Sequence, residues 1–420
     1  MLRCELHQLE GNRQLWTDWR DLLTRMKPEL RLLTPEWFLA WGRSIGSEAP
    51  WTTGIEVVAV YEETTRKLCG LFPVGHPKVG LLRVNAMAGY YQPSRVILAD
   101  ESCEYAVGRS IGWFLVELGW SLMQLGPWPM SHKAHLGALS ALNELEMPIH
   151  KQSSCNLAIA ELPATWQQYQ DEVVDRTFWR RIHKSDAKLR CKHQVEVQHH
   201  RRPATEQQIR ELVTTLGQIE KRSWLTTDPS GRPRFLGETA HQFWSDLIQE
   251  TLVPNDQLDC WVLSADGLPV SFVFAITAGS TRYVIANNYD ESFATYSPGS
   301  LIYRAMFEEG YSRGVTRYDF GTNELHYKKF WGAKYLDRMD TFTVATNRIV
   351  AGFWKAGIKL SRLLDGSLLN GSTHNDQHVS GEPLPTSSHH EQKRLKSALA
   401  EAEKELTGQT QEERETVTSA

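Results

Sequence analysis

Apolar residues recur along the second half of the chain with two periods. Thr205-x-x-Gln208 has capping-box spacing, and Ile209, Leu212, Val213, Leu216 and Ile219 follow as a helical stripe. Phe243, Trp244, Leu247, Ile248 and Leu252 mark a second helix. The period then shortens. Residues 258–265, 270–278 and 281–288 read as strands separated by Asp266-Gly267 and Gly279-Ser280, so an antiparallel meander is expected. A loop over 289–296 leads to Ser297-Pro298-Gly299, where Ser as N-cap and Pro as first helical residue predict a helix to about Ser312, ended by Gly314. Residues 315–320 then form a strand, and the intervening helix makes it parallel to the last meander strand. Residues 338–346 read as a closing strand.

The first half repeats this order more loosely. Residues 55–62, 68–75 and 79–84 form a second meander, followed by a loop through Tyr90-Tyr91-Gln92-Pro93 and a helix from about Tyr105. From Ser110 to Trp128, Ile111, Phe114, Leu115, Leu118, Leu122 and Leu125 recur at helical spacing, with Glu117, Ser121 and Gln124 opposite. That stripe makes an amphipathic helix rather than a membrane span. The expected fold class is α/β (α+β): two similar lobes, each a mixed, mostly antiparallel sheet flanked by helices. Their ranges are 1–160 and 161–364, with a flexible linker and charged tail at 365–420. The linker is rich in Ser, Gly, His and Pro. Before it, Ile349, Val350, Phe353, Trp354, Ile358 and Leu360 alternate with Arg348, Lys355, Lys359 and Arg362. This is a helix docked on the second lobe or lying on a membrane surface.

Composition narrows the class. The 420 residues are 41% hydrophobic and 23% charged, which excludes a disordered or collagen-like chain. A net charge of −4 argues against a protein devoted to coating nucleic acid. The six cysteines form no C-x-x-C pair, so reduced thiols in a cytoplasmic protein are expected and no metal is called. The charge is uneven. Residues 176–202 hold nine Lys or Arg and two acids, with Arg176, Arg180, Lys184, Lys188 and Lys192 every four residues. Such a face is simply solvated, or it meets a phosphorylated substrate, an anionic lipid surface or RNA.

No G-x-S-x-G, Walker loop or G-x-G-x-x-G is present, and His199-His200 and His389-His390 lack the spacing of helical zinc ligands. The expected helix start at Ser297-Pro298-Gly299 is either an ordinary capped terminus or a place for a phosphate or pyrophosphate.

Tyr289-Asp290-x-x-Phe293-Ala294-x-Tyr296-Ser297-Pro298-Gly299, Tyr318-Asp319-Phe320-Gly321 and Tyr327-Lys328-x-x-Trp331 resemble the acetyltransferase domain of cellulose-biosynthesis-protein-D-like (CelD-like) proteins, in the GNAT superfamily. Glu220-x-x-Ser223-Trp224 is similar to the same family. The resemblance implies acyl transfer from acetyl-CoA or a longer acyl-CoA to an amine or hydroxyl. The acceptor would be a sugar, polysaccharide precursor or cell-envelope compound. Ala286, Asn287 and Asn288 would lie beside the thioester and supply a backbone oxyanion donor. Ser297, Pro298, Gly299 and Ser300 would meet the CoA phosphates. Asp319 and Tyr327 are the candidates for proton handling, and Lys328 for an anionic part of the substrate. Glu220, Trp224, Tyr289 and Asp290 would face the acceptor. The usual Arg/Gln-x-x-Gly-x-Gly/Ala stretch is absent. That absence and the basic helix favour a rival, a Fem-like transferase drawing on aminoacyl-tRNA. A third reading is a binding protein that kept the fold without the chemistry.

Overall fold

The turn chemistry of the second half builds what it promises. In the computed structural model, which describes residues 1–44, 51–79, 82–89, 92–93, 95–228, 231–322 and 325–345, Asp266 and Gly267 both adopt positive φ between antiparallel strands. The first half runs β1 (Leu2–Gln8), α1 (Arg13–Thr24), α2 (Pro35–Arg43), β2 (Trp51–Glu62), β3 (Leu68–Val79), β4 (Leu82–Arg83), β5 (Asn85–Met87), β6 (Leu98–Ala99), α3 (Glu104–Glu117), β7 (Leu122–Pro129), α4 (Lys133–Glu144) and β8 (Ile149–Glu161). The second continues with the single turn α5 (Trp166–Gln168), α6 (Arg176–Arg190), β9 (Val195–His200), α7 (Glu206–Lys221), α8 (Glu238–Leu247), β10 (Leu258–Ala265), β11 (Leu268–Ala278), β12 (Thr281–Tyr289), α9 (Pro298–Ser312), β13 (Arg317–Thr322), α10 (His326–Phe330) and β14 (Lys334–Ala345).

All described strands join one mixed sheet, whose main path is β1-β2-β3-β5-β7-β14-β8-β13-β12-β11-β10-β9. Each half contributes an antiparallel run that ends in one parallel pair, β5 with β7 and β12 with β13. The closing strand does more than cap the second half. β14 lies between β7 and β8, antiparallel to both.

Three large apolar clusters among the described residues sandwich the sheet. One combines α1, α2, β2 and β3 with α7, α8 and β10–β12, and therefore joins the halves. A second lies under α6 and α9, and a third under α3 and α4. Tyr283 Oη donates to Glu29 O at 3.1 Å, and Arg43 reaches Glu250 at 2.8 Å, across the joint.

Several expectations are corrected. The helix drawn through Ser110–Trp128 stops at Leu118, because Gly119 takes φ 67° and Leu122–Pro129 is a strand. That strand is buried on both faces, so its sequence lacks the alternation of a half-exposed one. The expected strand 79–84 is cut by a hairpin that pairs Val79 with Leu82. The basic run also divides: α6 ends at Arg190, and Lys192 lies beyond it. The readings for 346–420 lie outside the described residues. Among those described, no helix is long and apolar enough to cross a membrane.

Candidate active site

β12 is where the sheet opens. Phe274 faces Ala286 while Ala275 faces Val284, which leaves Ile285 as an extra residue in a bulge. On its other side β12 pairs with β13 only over Thr281–Tyr283. β13 then leans to β8, and its Thr322 pairs with Leu157. Beyond Tyr283, β12 therefore has an edge with no ladder partner toward β13 among the described residues. Ala286, Asn287 and Asn288 lie on that open edge, and alternate backbone groups there face the split.

The end of β12 is anchored firmly. Asp290 Oδ1 accepts from Ser292 N at 3.0 Å and Ser292 Oγ at 2.6 Å, starting a 3-10 turn over Glu291–Tyr296. Arg222 Nε donates to Asp290 Oδ2 at 2.5 Å. Burial opposes ionisation of Asp290, yet Ser292 and Arg222 hold its carboxyl below the usual range. Asp290 is thus a structural anchor with both oxygens engaged. Tyr289 lies under the start of α9, 3.5 Å from where a Cβ on Gly299 would be.

Ser297 is not the side-chain cap its sequence promises. It adopts φ 51°, ψ 50°, and its hydroxyl makes no capping bond, because it serves as the left-handed joint between the 3-10 turn and α9. Its carbonyl instead accepts from Ser300 N at 3.0 Å and Leu301 N at 3.3 Å. Pro298 has no N–H, so the Gly299 amide is the one left for an outside acceptor in this first turn.

Tyr327, in α10, donates from Oη to Asn287 Oδ1 at 3.3 Å, and its ring lies edge-on to Tyr303. Asp319 is nearly buried where the strands part, with Oδ1 accepting from Gly321 N at 2.7 Å. Lys328 is 2% exposed, and its Nζ donates to Phe320 O at 2.8 Å and Thr322 O at 2.9 Å. The structure therefore brings Asn287 and Tyr327 together at the split, while Lys328 holds the backbone beneath them.

Glu220 sits elsewhere. At the end of α7 its buried carboxylate accepts from Arg234 N at 2.9 Å and Phe235 N at 2.7 Å, clamping the segment before α8. Trp224 belongs to the 3-10 turn Trp224–Thr226, and its Nε1 is buried without a hydrogen-bond partner among the described residues. Sequence reasoning missed the Glu220 clamp, whose partners lie fourteen and fifteen residues away. Burial pushes the Glu220 carboxyl up to about 7 against the pull of those amides. A raised folded pKa means the native state holds its proton longer than the unfolded chain, where the value is near 4.5. The contribution is full below that unfolded value and is lost as pH rises through about 7. Between these limits the group should lower stability by about 3 kcal/mol. Urea titrations across that pH range should show the slope in the native chain and lose it in Glu220→Gln; equal slopes would refute the assignment.

His199, Asp259 and Glu309 hold ligand atoms within 4.8 Å of one another. Two guanidinium groups already claim the carboxylates, Arg282 on Asp259 and Glu309 and Arg313 on Asp259. A divalent cation would face two fixed positive charges there, so the cluster is an ion-pair network.

The basic helix α6 flanks the start of α9. Lys188 Nζ lies 3.4 Å from Thr295 O, and Arg304 of α9 lies 3.6 Å from Asp186.

An antiparallel run, a bulged strand that parts from a parallel neighbour, and a helix beginning at the opening make the frame of the site. Residues 176–329 match the acetyltransferase (GNAT) domain family, whose members use acyl-CoA as co-substrate. No curated protein matches the chain. Among solved structures, FemX is 11% identical with a TM-score of 0.54, over 80% of this chain and 97% of that one. The C-terminal domain of a putative lysylphosphatidylglycerol synthetase from Agrobacterium fabrum is 10% identical with a TM-score of 0.49, over 88% and 100%. A tandem GNAT protein from the clavulanic acid biosynthesis pathway is 9% identical with a TM-score of 0.46, over 82% and 99%. At these identities the likeness to FemX speaks to the fold alone.

Proposed function

We propose that the protein transfers an acetyl or longer acyl group from acyl-CoA to an amine or hydroxyl of a sugar, polysaccharide precursor or related cell-envelope compound. The observation that carries this reading is the open edge of β12 leading to the start of α9, inside the segment matching the acetyltransferase domain. The CelD-like motifs supply the acceptor class. A thioester carbonyl laid along residues 286–288 would meet a backbone N–H as its oxygen gains charge. The diphosphate would lie at the Gly299 amide and the positive end of α9. Tyr327, held by Asn287, is our candidate to give a proton to the departing thiolate, and Asp319, buried where the strands part, is our candidate to take the acceptor's proton.

Calorimetric titration with CoA and acetyl-CoA tests the reading: saturable binding is expected, and none at millimolar ligand would sink it. Tyr327→Phe should keep donor affinity while lowering kcat about ten- to a hundred-fold. An unchanged kcat would remove Tyr327 from the chemistry.

A second reading, aminoacyl transfer from tRNA, draws on α6. Arg176, Arg180 and Lys184 are exposed and make no ion pair among the described residues. That reading requires tRNA affinity that falls steeply with salt.

A further inference from the structure

The two halves share a hydrogen-bonded staple. Arg25 follows the last turn of α1, and Arg222 follows the last turn of α7. Each guanidinium reaches an aspartate beyond the meander, Arg25 to Asp100 and Arg222 to Asp290. Each also donates to a carbonyl at the start of the second long strand, Leu68 O at 2.7 Å and Pro269 O at 2.6 Å. Both aspartates open the tripeptide Asp-Glu-Ser, and Asp100 Oδ1 binds Ser102 as Asp290 Oδ1 binds Ser292. The backbone agrees: Asp100 N donates to Cys69 O and Asp290 N to Val270 O, both at 2.8 Å. Glu101 N donates to Arg25 O and Glu291 N to Arg222 O. Matching side-chain and main-chain bonds align α1 with α7, β3 with β11 and α3 with α9.

That alignment shows where the halves differ. Asp290 comes seven residues after Tyr283, the last β12 residue paired with β13. Asp100 comes fourteen residues after Ala86, the last β5 residue paired with β7. Of the described residues in that additional stretch, Ala88, Val96 and Ile97 are packed inward, at 0%, 1% and 0% exposure. His135 stitches it to the end of β7. Its Nε2 accepts from Ile97 N at 3.0 Å, so Nδ1 carries the proton donated to Pro129 O at 3.0 Å. The ring stacks on Trp128 with centroids 4.4 Å apart. The helix start differs too. Glu104, 4% exposed, lies in the first turn of α3, within 3.7 Å of Lys27 Nζ and 3.9 Å of His132 Nε2. The first turn of α9 has no acid.

We infer that the acyl donor binds once per chain, in the second half. The first half is a duplicate of the donor-binding unit, filled by its own segment and carrying its own carboxylate where the donor's phosphates would lie. The inference rests on the acyl-CoA reading. It also accounts for a family match that begins only at residue 176.

The test is calorimetry on the full chain with CoA, followed by hydrogen exchange with and without saturating CoA. One equivalent is expected. Gly299→Glu should weaken it at least a hundred-fold; among the described residues the space above Gly299 holds only the Tyr289 ring within 4 Å, so the fold should tolerate the change. Glu104→Gln should leave affinity within two-fold. Protection should appear in peptides covering 284–302 and be absent from 84–104. Two equivalents, or one equivalent lost in Glu104→Gln and kept in Gly299→Glu, would overturn the inference while leaving donor binding intact. Absence of any saturable binding would instead overturn the acyl-CoA reading, and the inference with it.

Discussion

Arg282→Met should lower the free energy of unfolding by about 3–5 kcal/mol, the usual cost of stranding a buried charge. Arg282 and Asp259 are both fully buried, and every guanidinium N–H of Arg282 is used. Nε binds Thr277 Oγ1, Nη1 binds Met306 O and Tyr318 Oη, and Nη2 binds Asp259 and Glu309. The guanidinium also lies over the Trp261 ring, 4.9 Å from its centroid. Lysine offers three donors on a flexible stem and cannot reproduce the fork, so Arg282→Lys should rescue little. Burial opposes ionisation of Asp259, while His199 and Arg282 hold its carboxyl below the usual range. Its contribution is present above the unfolded value and lost as pH falls through the depressed one. The gap between native and variant chains in urea unfolding should therefore narrow in acid. A loss below about 1 kcal/mol at neutral pH would show that Arg313 and His199 carry Asp259 without help.

Lys328→Met should lower kcat about a hundred-fold with donor affinity nearly unchanged, since displacing a reacting group by an ångström has effects of that size. The ammonium gathers the carbonyls of Phe320 and Thr322, and the neighbouring Tyr327 meets Asn287 through that arrangement. On the proposed reading Lys328 is a positioning residue. A residue that bound an anionic acceptor directly would instead raise KM and leave kcat nearly intact. Steady-state kinetics with the acceptor varied separates the two. Lys328→Arg should fail as well, because a planar guanidinium fork does not reproduce the compact ammonium that meets two carbonyls in this buried position.

The second half was legible because its signals are local. Asp266-Gly267 and Ser297-Pro298 act within a few residues, and the strands between them are long. The split was legible only as a consequence of topology. The bulge at Ile285 depends on β11, and the departure of β13 depends on β8, so neither is written in residues 281–289. Ser297 misled because cap preference assumes extended backbone, while the preceding 3-10 turn imposes a left-handed one. In the first half, the hairpin at Val79 and Leu82 and the segment stitched by His135 break the pattern. The tripeptide Asp-Glu-Ser stands twice in the sequence. Its meaning needed Arg25 and Arg222, which are 75 and 68 residues away from their aspartates.

The seat of β14 sets an order of events during synthesis. Until residues 334–345 have left the ribosome, β7 and β8 lack the strand that both pair with, and two strand edges stay open. Neither half can complete itself as it emerges. A chain stalled or cut before Lys334 would carry adhesive edges at its centre, the hazard most proteins confine to their margins. β14 acts as a keystone, the one strand through which β7 and β8 are joined among the described residues.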